Sequence, residues 1–216
     1  MPQLDFDGAA SRLSADNIRG QSGSTITIVS GHNLVGSGSG LTALNATNLA
    51  SGTVASARLP ALGKVLQVVS TTKTDTFSDT NGTTLSAITG LSVNITPSAT
   101  TSKILVCWDI VCGASVANNN VWVVMYRNST VIAHGDAASN RNRSAGGTST
   151  GETYEYSLVA GTYLDSPSST SQLTYSAKLG SQGSITKYVN RSGWDGDVNY
   201  SVGRTASTIT VMEIGA

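Results

Sequence analysis

Histidine, cysteine and carboxylate side chains, which carry most acid–base, metal and nucleophilic chemistry, are few and scattered in this sequence. The two histidines, His32 and His134, have no companion at metal-ligand spacing, whereas a metal site takes three or four ligands. Glu152 and Glu155 form the nearest pair of carboxylates, but their odd separation at a predicted strand start turns them to opposite faces. Neither a Gly-x-Ser-x-Gly elbow nor a phosphate-binding glycine loop before a helix occurs. We therefore predict no catalytic residue, no cofactor and no enzyme activity.

The richest cluster of oxygen ligands lies at Trp194-Asp195-Gly196-Asp197, with Asn199 two positions later. Closely spaced Asp and Asn oxygens in a glycine loop can bind Ca²⁺. The flanking ligand pattern of a calcium loop is missing, however, and these residues favour a solvated turn. The sequence therefore predicts no metal ligand.

Cys107 and Cys112 lie in one apolar run of the kind that forms a β-strand. A separation of five residues places them on opposite faces of a regular strand, roughly 16 Å apart at about 3.3 Å per residue. Because a disulfide needs Cα atoms within about 7 Å, the two thiols cannot bond to each other in that strand. We expect two buried free cysteines.

Binding chemistry is concentrated in two polar stretches, residues 138–151 and 190–200. The first stretch is long, polar and flexible by composition, and its arginines could bind anionic lipopolysaccharide groups with paired hydrogen bonds. The second offers aromatic rings for the apolar side of sugars and planar polar groups for hydroxyls. Loops on a rigid β scaffold commonly bind ligands, although these aromatics could equally cover the sandwich end or a neighbouring protomer. The candidate receptor-binding residues are Arg141, Arg143, Arg191, Trp194, Asp195 and Tyr200.

The composition indicates a β-rich chain without a nucleic-acid or membrane partner. Of 216 residues only 12% are charged, against about 25% in a typical globular protein, and Ser, Thr, Asn and Gly replace Lys and Glu. The formal net charge is zero, which lacks the basic footprint of a nucleic-acid binder. No stretch approaches the roughly 18 apolar residues of a membrane span, and the N-terminus does not resemble a signal peptide. We expect a product that stays in a cytoplasm or is assembled there.

Short runs of β-forming residues recur between residues 63 and 216, separated by Gly, Asn and Ser turns. An Asn81-Gly82 turn separates two of the runs, and Asn128-Ser129 makes a tight connection between two others. The predicted strands cover residues 65–69, 72–77, 85–88, 91–95, 103–112, 121–127, 130–134, 153–160, 172–179, 185–189 and 206–214. Without an amphipathic helix pattern, these strands predict an all-β chain whose C-terminal head is an antiparallel β-sandwich, jelly-roll-like in form.

The apolar pattern also predicts which strand faces are buried. Residues 172–179 alternate, with Leu173, Tyr175, Ala177 and Leu179 on one face, so that strand has one wet face. Residues 103–112 and 121–126 are apolar on both faces. They are either central strands covered on both sides or surfaces on which protomers meet, and the second option favours an oligomer.

The first 62 residues lack the apolar content for a core of their own. Residues 1–30 would order only by docking on a partner or by trimerising, because too few large apolar residues offset the chain entropy. Residues 31–62 comprise a Gly/Ser-rich linker and a stalk in which apolar residues recur at separations of three, five, five and five. Such spacing suits an intertwined fibre, and a plain disordered linker is the alternative. The predicted docking residues are Leu4, Phe6, Leu13 and Ile18, and the predicted stalk residues are Leu41, Leu44, Leu49, Val54 and Leu59.

A family resemblance enters at the stalk. Residues 44–54, Leu-Asn-Ala-Thr-Asn-Leu-Ala-Ser-Gly-Thr-Val, with Ala-Arg-Leu-Pro at 57–60, resemble the stalk phrase of tail-fibre-like proteins from tailed bacteriophages, especially marine and cyanobacterial ones. Residues 65–69, 73–77, 90–97, 102–106 and 208–214 resemble the heads of those proteins. The resemblance covers roughly residues 41–111 and the last ten. It implies a homotrimeric fibre whose N-terminus docks on the virion and whose head faces outward, with no catalytic motif.

Two functions follow as expectations. The first is a virion fibre protein that docks by residues 1–30 on the tail, collar or capsid and attaches to host cell-surface glycan through its head. The second is a decoration, collar or head-fibre protein whose role is purely architectural. A glycan hydrolase is a third, weaker hypothesis, because its paired carboxylates are missing from the pattern.

Overall fold

The computed structural model describes residues 63–197 and 202–215. The residues predicted to dock on the virion (Leu4, Phe6, Leu13, Ile18), those of the stalk (Leu41, Leu44, Leu49, Val54, Leu59) and Tyr200 lie outside that part. The described residues form eleven strands: β1 Val65–Lys73, β2 Phe77–Asp79, β3 Ser86–Ile95, β4 Lys103–Ala114, β5 Asn119–Arg127, β6 Thr130–Ile132, β7 Gly146–Thr150, β8 Tyr156–Asp165, β9 Leu173–Ser181, β10 Lys187–Val189 and β11 Ser207–Ile214. In this part of the chain every strand pairing is antiparallel, and no helix is present that is long and apolar enough to span a membrane.

Two sheets are built from these strands. In the first sheet β1 and β2 form one edge, β11 and β10 follow each other along β4, and β8 pairs with the other side of β4. In the second sheet β3 pairs with β9, β9 with β5, and β5 with β6 and β7 in succession. Counting the consecutive pieces as single strands gives two four-stranded sheets in the strand order of a jelly roll. The predicted antiparallel sandwich is confirmed.

Alternating side chains from both sheets form the core between them. Leu173, Tyr175, Ala177 and Leu179 on β9 are all buried, as their alternation predicted, whereas Thr174, Ser176 and Lys178 are partly exposed. On β4 the side chains that point into the core are those of Ile104, Val106, Trp108 and Ile110. Residues 103–112 and 121–127 have a paired strand on each side in their sheets. Their outer faces are partly exposed, at Leu105 and Cys107 on β4 and at Trp122 on β5.

Two predicted strand boundaries moved because backbone geometry overrides apolar pattern. Residues 85–88 and 91–95 belong to one strand, β3, whose register shifts around Gly90 at a φ of 82°. The predicted strand 72–77 is divided, because β1 ends at Lys73 and β2 begins at Phe77. The predicted Asn81-Gly82 turn is present, with Gly82 at a φ of 57°, but it joins strands of two different sheets.

The largest correction concerns residues 138–151, predicted to be a flexible loop. Residues 146–150 form β7, which pairs with β5 from Val123 to Asn119. Its Gly-Gly-Thr-Ser-Thr sequence has no apolar residue, so the strand depends on hydrogen bonds to β5 rather than on its own pattern. The following strand, predicted at residues 153–160, begins later and extends to Asp165.

The two cysteines differ more than expected. Cys112 is fully buried, and burial raises the pKa of its thiol to about 12, so it stays protonated. Cys107 is only partly buried, because its side chain lies on the outer face of the first sheet. Both thiols are free, as predicted, but the prediction that both are buried was wrong for Cys107.

Two buried ion pairs hold neighbouring elements together, whereas the fully buried Glu213 accepts neutral hydrogen bonds from Gln67 and Ser98. Lys187 Nζ lies 2.8 Å from Asp79 Oδ2 and donates to the carbonyl oxygens of Gly82 and Thr84, which fixes the turn between β2 and β3. Asp165 on β8 accepts two hydrogen bonds from Arg127 on β5 and one from the Tyr175 hydroxyl on β9. Because a buried charge is costly without a partner, the Arg127–Asp165 pair favours one arrangement of the two sheets, and the Lys187–Asp79 pair joins β10 to β2 within the first sheet.

Candidate functional site

The outer face of β5 carries a tryptophan in an unusual setting. Val121 and Val123 point into the core, so Trp122 between them lies on the opposite, solvent-facing side of the second sheet. Its cross-strand partners are both glycine, Gly180 on β9 and Gly147 on β7. A Cβ atom at position 180 would lie 2.5 Å from Trp122 Cε2 and 2.9 Å from Cζ2. The indole therefore lies across the backbone of Gly180, in space that only glycine leaves open.

Two shallow depressions adjoin Trp122. The larger, of about 490 Å³, is lined by Thr83, Asn120, Trp122, Asn142, Ser181, Gln182 and Gly183. The smaller, of about 280 Å³, is lined by Asn120, Val121, Trp122, Gly147, Thr148 and Ser149. Trp122 and Asn120 line both, so the indole and one amide stand between them. Every lining residue is uncharged.

Amide groups flank the indole at the larger depression. Asn120 Nδ2 donates to Gln182 Oε1 over 2.7 Å, and the Gln182 backbone N–H donates to the Asn120 carbonyl oxygen over 2.9 Å. These bonds hold both side chains in place and leave Asn120 Oδ1 as an acceptor and Gln182 Nε2 as a donor. Asn142 adds a third amide from the loop between β6 and β7. The site thus offers positioned donors and acceptors beside an aromatic ring.

This combination suits one kind of ligand. An aromatic ring packs against the C–H side of a sugar ring, and planar amides bond pairs of hydroxyls. The larger depression falls within the about 300 to 1,000 Å³ typical of ligand pockets, and the smaller lies just below that range. With no charged residue in the lining, an anionic or cationic ligand would lose hydration without gaining a counter-charge. The geometry is that of a surface site for an uncharged, hydroxyl-rich molecule.

The predicted arginine pair lies beside this site but does not form it. Arg143 Nε donates to the Gly135 carbonyl oxygen over 2.7 Å, and its Nη2 lies 2.6 Å from His134 Nδ1. Arg143 and His134 therefore brace their own loop, and His134 follows β6 rather than ending a strand. Arg141 is exposed, and its backbone N–H closes a turn onto the Ala138 carbonyl oxygen.

The second predicted cluster is an internal ion-pair network. Asp195 Oδ2 lies 3.0 Å from Arg191 Nη1, and Asp195 also pairs with Arg204. The hydrogen bond from Arg204, with the charge of Arg191, holds the pKa of Asp195 below its usual range. Arg191 also lies over the Tyr188 ring, 4.4 Å from its centroid. The structure brings Arg191 and Asp195 together, and the groups that would bind a ligand are already paired.

Trp194 is the exposed aromatic of that network. It is 45% exposed, and its backbone N–H donates to the Thr153 carbonyl oxygen over 2.8 Å. Its indole packs on Gly196, where a Cβ would lie 2.9 Å from Cε2. Across the described residues, no hydrogen bond or ion pair joins this loop to Arg141 or Arg143. The predicted receptor residues that the structure describes lie in two loops, Arg141 and Arg143 in one and Arg191, Trp194 and Asp195 in the other.

Glu155, one of the two carboxylates considered for glycan hydrolysis, stabilises a turn. Glu155 Oε2 accepts the backbone N–H groups of Gly151 and Glu152, over 2.6 and 3.1 Å. Both glutamates precede β8, so the prediction that they straddle a strand start was wrong. Within the described ranges, no group of three or more His, Cys, Asp or Glu could hold a metal ion.

The sequence prediction missed Trp122. Residues 121–126 were apolar on both faces, which concealed that one face carries Asn120, Trp122 and Tyr126. The alternation of Val121, Val123 and Met125 could have assigned Trp122 to the outer face. The pairing of Trp122 with two glycines could not have been found, because it depends on the register of β5 with β7 and β9.

Comparison with known proteins assigns no family. No family model matches the chain, and no curated protein gives a significant match. Among solved structures, the structure of infectious bursal disease virus Gx strain aligns with 68% of this chain at 15% identity and a TM-score of 0.35. The VP2 subviral particle of the same virus gives 15% identity, 68% coverage and a TM-score of 0.36, and the Gt strain structure gives 16%, 69% and 0.35. The alignments span 42%, 40% and 42% of those chains. Similarity at this level leaves the function to be argued from the chain's own residues.

Proposed function

We propose that this chain is a non-enzymatic fibre protein of a virion whose jelly-roll head attaches to host-surface glycan. The observation that carries the attachment role is Trp122, an indole lying on Gly180 between two uncharged, amide-lined depressions. The resemblance of residues 41–60 to phage fibre stalks supports the fibre role. In this proposal residues 1–30 dock on the tail, collar or capsid, residues 31–62 form a trimeric stalk, and the protein is assembled in the host cytoplasm.

The attachment mechanism follows from the outer face of β5. The indole supplies a flat apolar platform, and Asn120, Gln182 and Asn142 supply hydrogen bonds around its edge. Because the Asn120–Gln182 bond fixes two of these amides before binding, little side-chain entropy is lost when a sugar docks. A fibre carries several copies, so weak binding per head becomes strong attachment through multivalency.

The test is binding of the full chain to host polysaccharide, on a glycan array and to whole cells. We expect Trp122→Ala to weaken binding at least about tenfold, about 1.4 kcal/mol. Trp194→Ala is the matched control, because Trp194 is also an exposed indole packed on a glycine, and we expect it to bind as the unaltered chain does. Circular dichroism and thermal melting would verify that both variants fold.

Arg141→Ala and Arg143→Ala separate the two candidate sites. Binding that survives both changes and fails with Trp122→Ala supports the β5 site. If Arg141→Ala or Trp194→Ala abolishes binding and Trp122→Ala leaves it unchanged, recognition would instead lie in the predicted loops. In that case the site proposed at Trp122 is wrong, and loss with Arg141→Ala in particular would favour an anionic ligand.

An architectural role as a decoration, collar or head-fibre protein is the second candidate. It is favoured by the exposed apolar side chains of β1 and β8, among them Val68 and Leu164. A folded full chain that binds no host glycan, combined with normal incorporation of a Trp122→Ala chain into infectious particles, would favour this role over attachment.

A further inference from the structure

The outer face of the first sheet carries an apolar row that crosses four strands. Strand pairing places Val68 of β1 opposite Met212 of β11, Met212 opposite Leu105 of β4, and Leu105 opposite Leu164 of β8. All four alternate with inward-facing residues, so they share the solvent side. Val68 and Leu164 are 57% and 48% exposed. A continuous apolar row open to water is unusual for a sheet face that nothing covers.

The rest of this face is flat. The next row of cross-strand neighbours is Ser70, Thr210, Cys107 and Thr162. The Ser70 and Thr210 hydroxyls bond each other over 2.8 Å, so they present little unmet polarity. The small side chains of this row let another surface approach closely. In contrast, the outer face of the second sheet carries Lys178 over the Tyr126 ring, 4.3 Å from its centroid.

Two opposite charges on this face make it complementary to itself. Lys103 and Asp109 both point outward from β4, six residues apart, about 20 Å along the strand. Both are exposed, and neither takes part in an ion pair within residues 63–197 and 202–215. A second copy turned by a two-fold axis would bring its Asp109 to Lys103 and its Lys103 to Asp109. The contact would then contain two symmetry-related ion pairs, each between Lys103 of one copy and Asp109 of the other.

The face is also large enough. Four strands about 4.8 Å apart and about nine residues long give a face of roughly 19 Å by 30 Å, about 570 Å² in projection. Weak specific interfaces bury about 600 Å² per partner and standard ones about 800 Å². Because the side chains make the face uneven, its solvent-accessible area is larger than this projected area. Two such faces would bury about 1,100 Å² in total, which exceeds the roughly 1,000 Å² that a specific interface needs and is less than the about 1,600 Å² of a standard one.

We propose that the outer face formed by β1, β11, β4 and β8 packs against the same face of a second copy of this chain. The Lys103–Asp109 pairs set the two-fold alignment, which is centred on Val106 of β4. In this alignment the apolar row from Val68 to Leu164 packs across the row from Ser70 to Thr162 of the second copy. This contact pairs each copy of the chain with one other copy. Residues 41–59 would add their own association if they form a stalk, and the number of copies in the assembly would then still be even.

The mass of the full chain in solution tests this contact. We expect light scattering to show an even number of copies, and Leu164→Asp to halve that number by placing charge in the apolar row. Val116→Asp is the matched control, because Val116 is 46% exposed but lies beyond the end of β4, away from the row. We expect it to keep the unaltered mass. A monomeric unaltered chain, an unchanged mass for Leu164→Asp, or a halved mass for Val116→Asp overturns the proposal.

A charge exchange tests the two-fold alignment without disturbing folding. Asp109→Lys places two lysines opposite each other at both ion pairs, so we expect the dissociation constant of the pair to rise at least about tenfold. Combining it with Lys103→Asp restores opposite charges, and we expect the constant to return to within about threefold of the original. If the double variant associates no better than Asp109→Lys alone, the proposed alignment is wrong.

Discussion

Trp108 and Trp122 meet the neighbouring strand in the same way and face opposite sides of their sheets. Trp108 on β4 pairs with Gly161 on β8, and Trp122 on β5 pairs with Gly180 on β9. Each indole lies over its glycine, where any Cβ would overlap the ring. Trp108 is 3% exposed and packs in the core, whereas Trp122 is partly exposed between two depressions.

The difference shows how one local arrangement gives either stability or a binding surface. The core indole fills volume, and its Nε1 is buried without a hydrogen-bond partner in the described part of the chain. Such an unmet donor costs about 1–3 kcal/mol, which the burial of a large ring has to offset. The outer indole buries only one side and leaves the other exposed, where we propose that a sugar packs. Replacing the glycines should therefore affect the two places differently.

The largest effect is expected from Gly161→Ala. The added Cβ would lie 2.8 Å from Trp108 Cε2 and 3.0 Å from Cη2, and the packed core leaves the ring no room to move. We expect the free energy of unfolding to fall by about 3 kcal/mol. Urea denaturation measures it. Gly135→Ala is the control, because nothing lies within 4 Å of its Cβ, and it should change stability by less than about 0.5 kcal/mol. Equal effects at both glycines would mean that Trp108 does not occupy the described position.

A double-mutant cycle tests whether that cost comes from the indole itself. The atoms that a Cβ at position 161 would meet belong to the six-membered ring of Trp108, which phenylalanine does not place there. In a Trp108→Phe background, we expect Gly161→Ala to cost only about 1 kcal/mol, a coupling of about 2 kcal/mol. Additive costs, measured by the same urea titrations, would show that Gly161 is required for the backbone of β8 and not for Trp108.

The alternation of apolar and polar residues within single strands allowed the sandwich to be predicted. The site at Trp122 could not be predicted, because it depends on the register between neighbouring strands. The pattern of Leu173, Tyr175, Ala177 and Leu179 assigns a buried face without knowledge of any neighbouring strand, and the structure confirmed it. In contrast, β7 has no apolar residue and exists because β5 offers it hydrogen bonds. Gly147 and Gly180 acquire their role only when β5 lies between them. Non-local pairing of this kind leaves no period in the sequence.

Composition also left open which partners the charged residues of the predicted binding loops contact. Arg191 and Asp195 are residue types that bind ligands, and composition alone cannot tell that they bind each other. Arg143 is likewise used to brace its own loop through the Gly135 carbonyl oxygen. Chemical type marks a residue as capable of binding, but only the geometry shows whether its hydrogen-bonding groups are already occupied.

At the outer indole, Gly180→Ala is expected to have a smaller effect on stability than on binding. Trp122 can tilt into solvent, so we expect a loss of only about 1 kcal/mol in the free energy of unfolding. The tilted ring no longer lies between the two depressions, and we expect glycan binding to fall about tenfold. Calorimetry of binding and urea denaturation of the same preparation give both values. A loss of stability as large as that of Gly161→Ala would contradict the distinction between the two tryptophans.

The smallest effect is expected from salt and pH on glycan binding. None of the residues lining the two depressions carries a charge or titrates near neutrality. Raising the salt concentration from about 0.05 M to about 0.5 M screens exposed charges strongly, yet we expect the affinity to change less than about twofold. The same constancy should hold between about pH 5 and about pH 9. If Arg141 and Arg143 instead held an anionic glycan, affinity would fall steeply with salt, because exposed ion pairs are screened. Titrations of the unaltered chain across both series therefore separate a neutral ligand on Trp122 from an anionic ligand on the arginine loop, with no mutation needed.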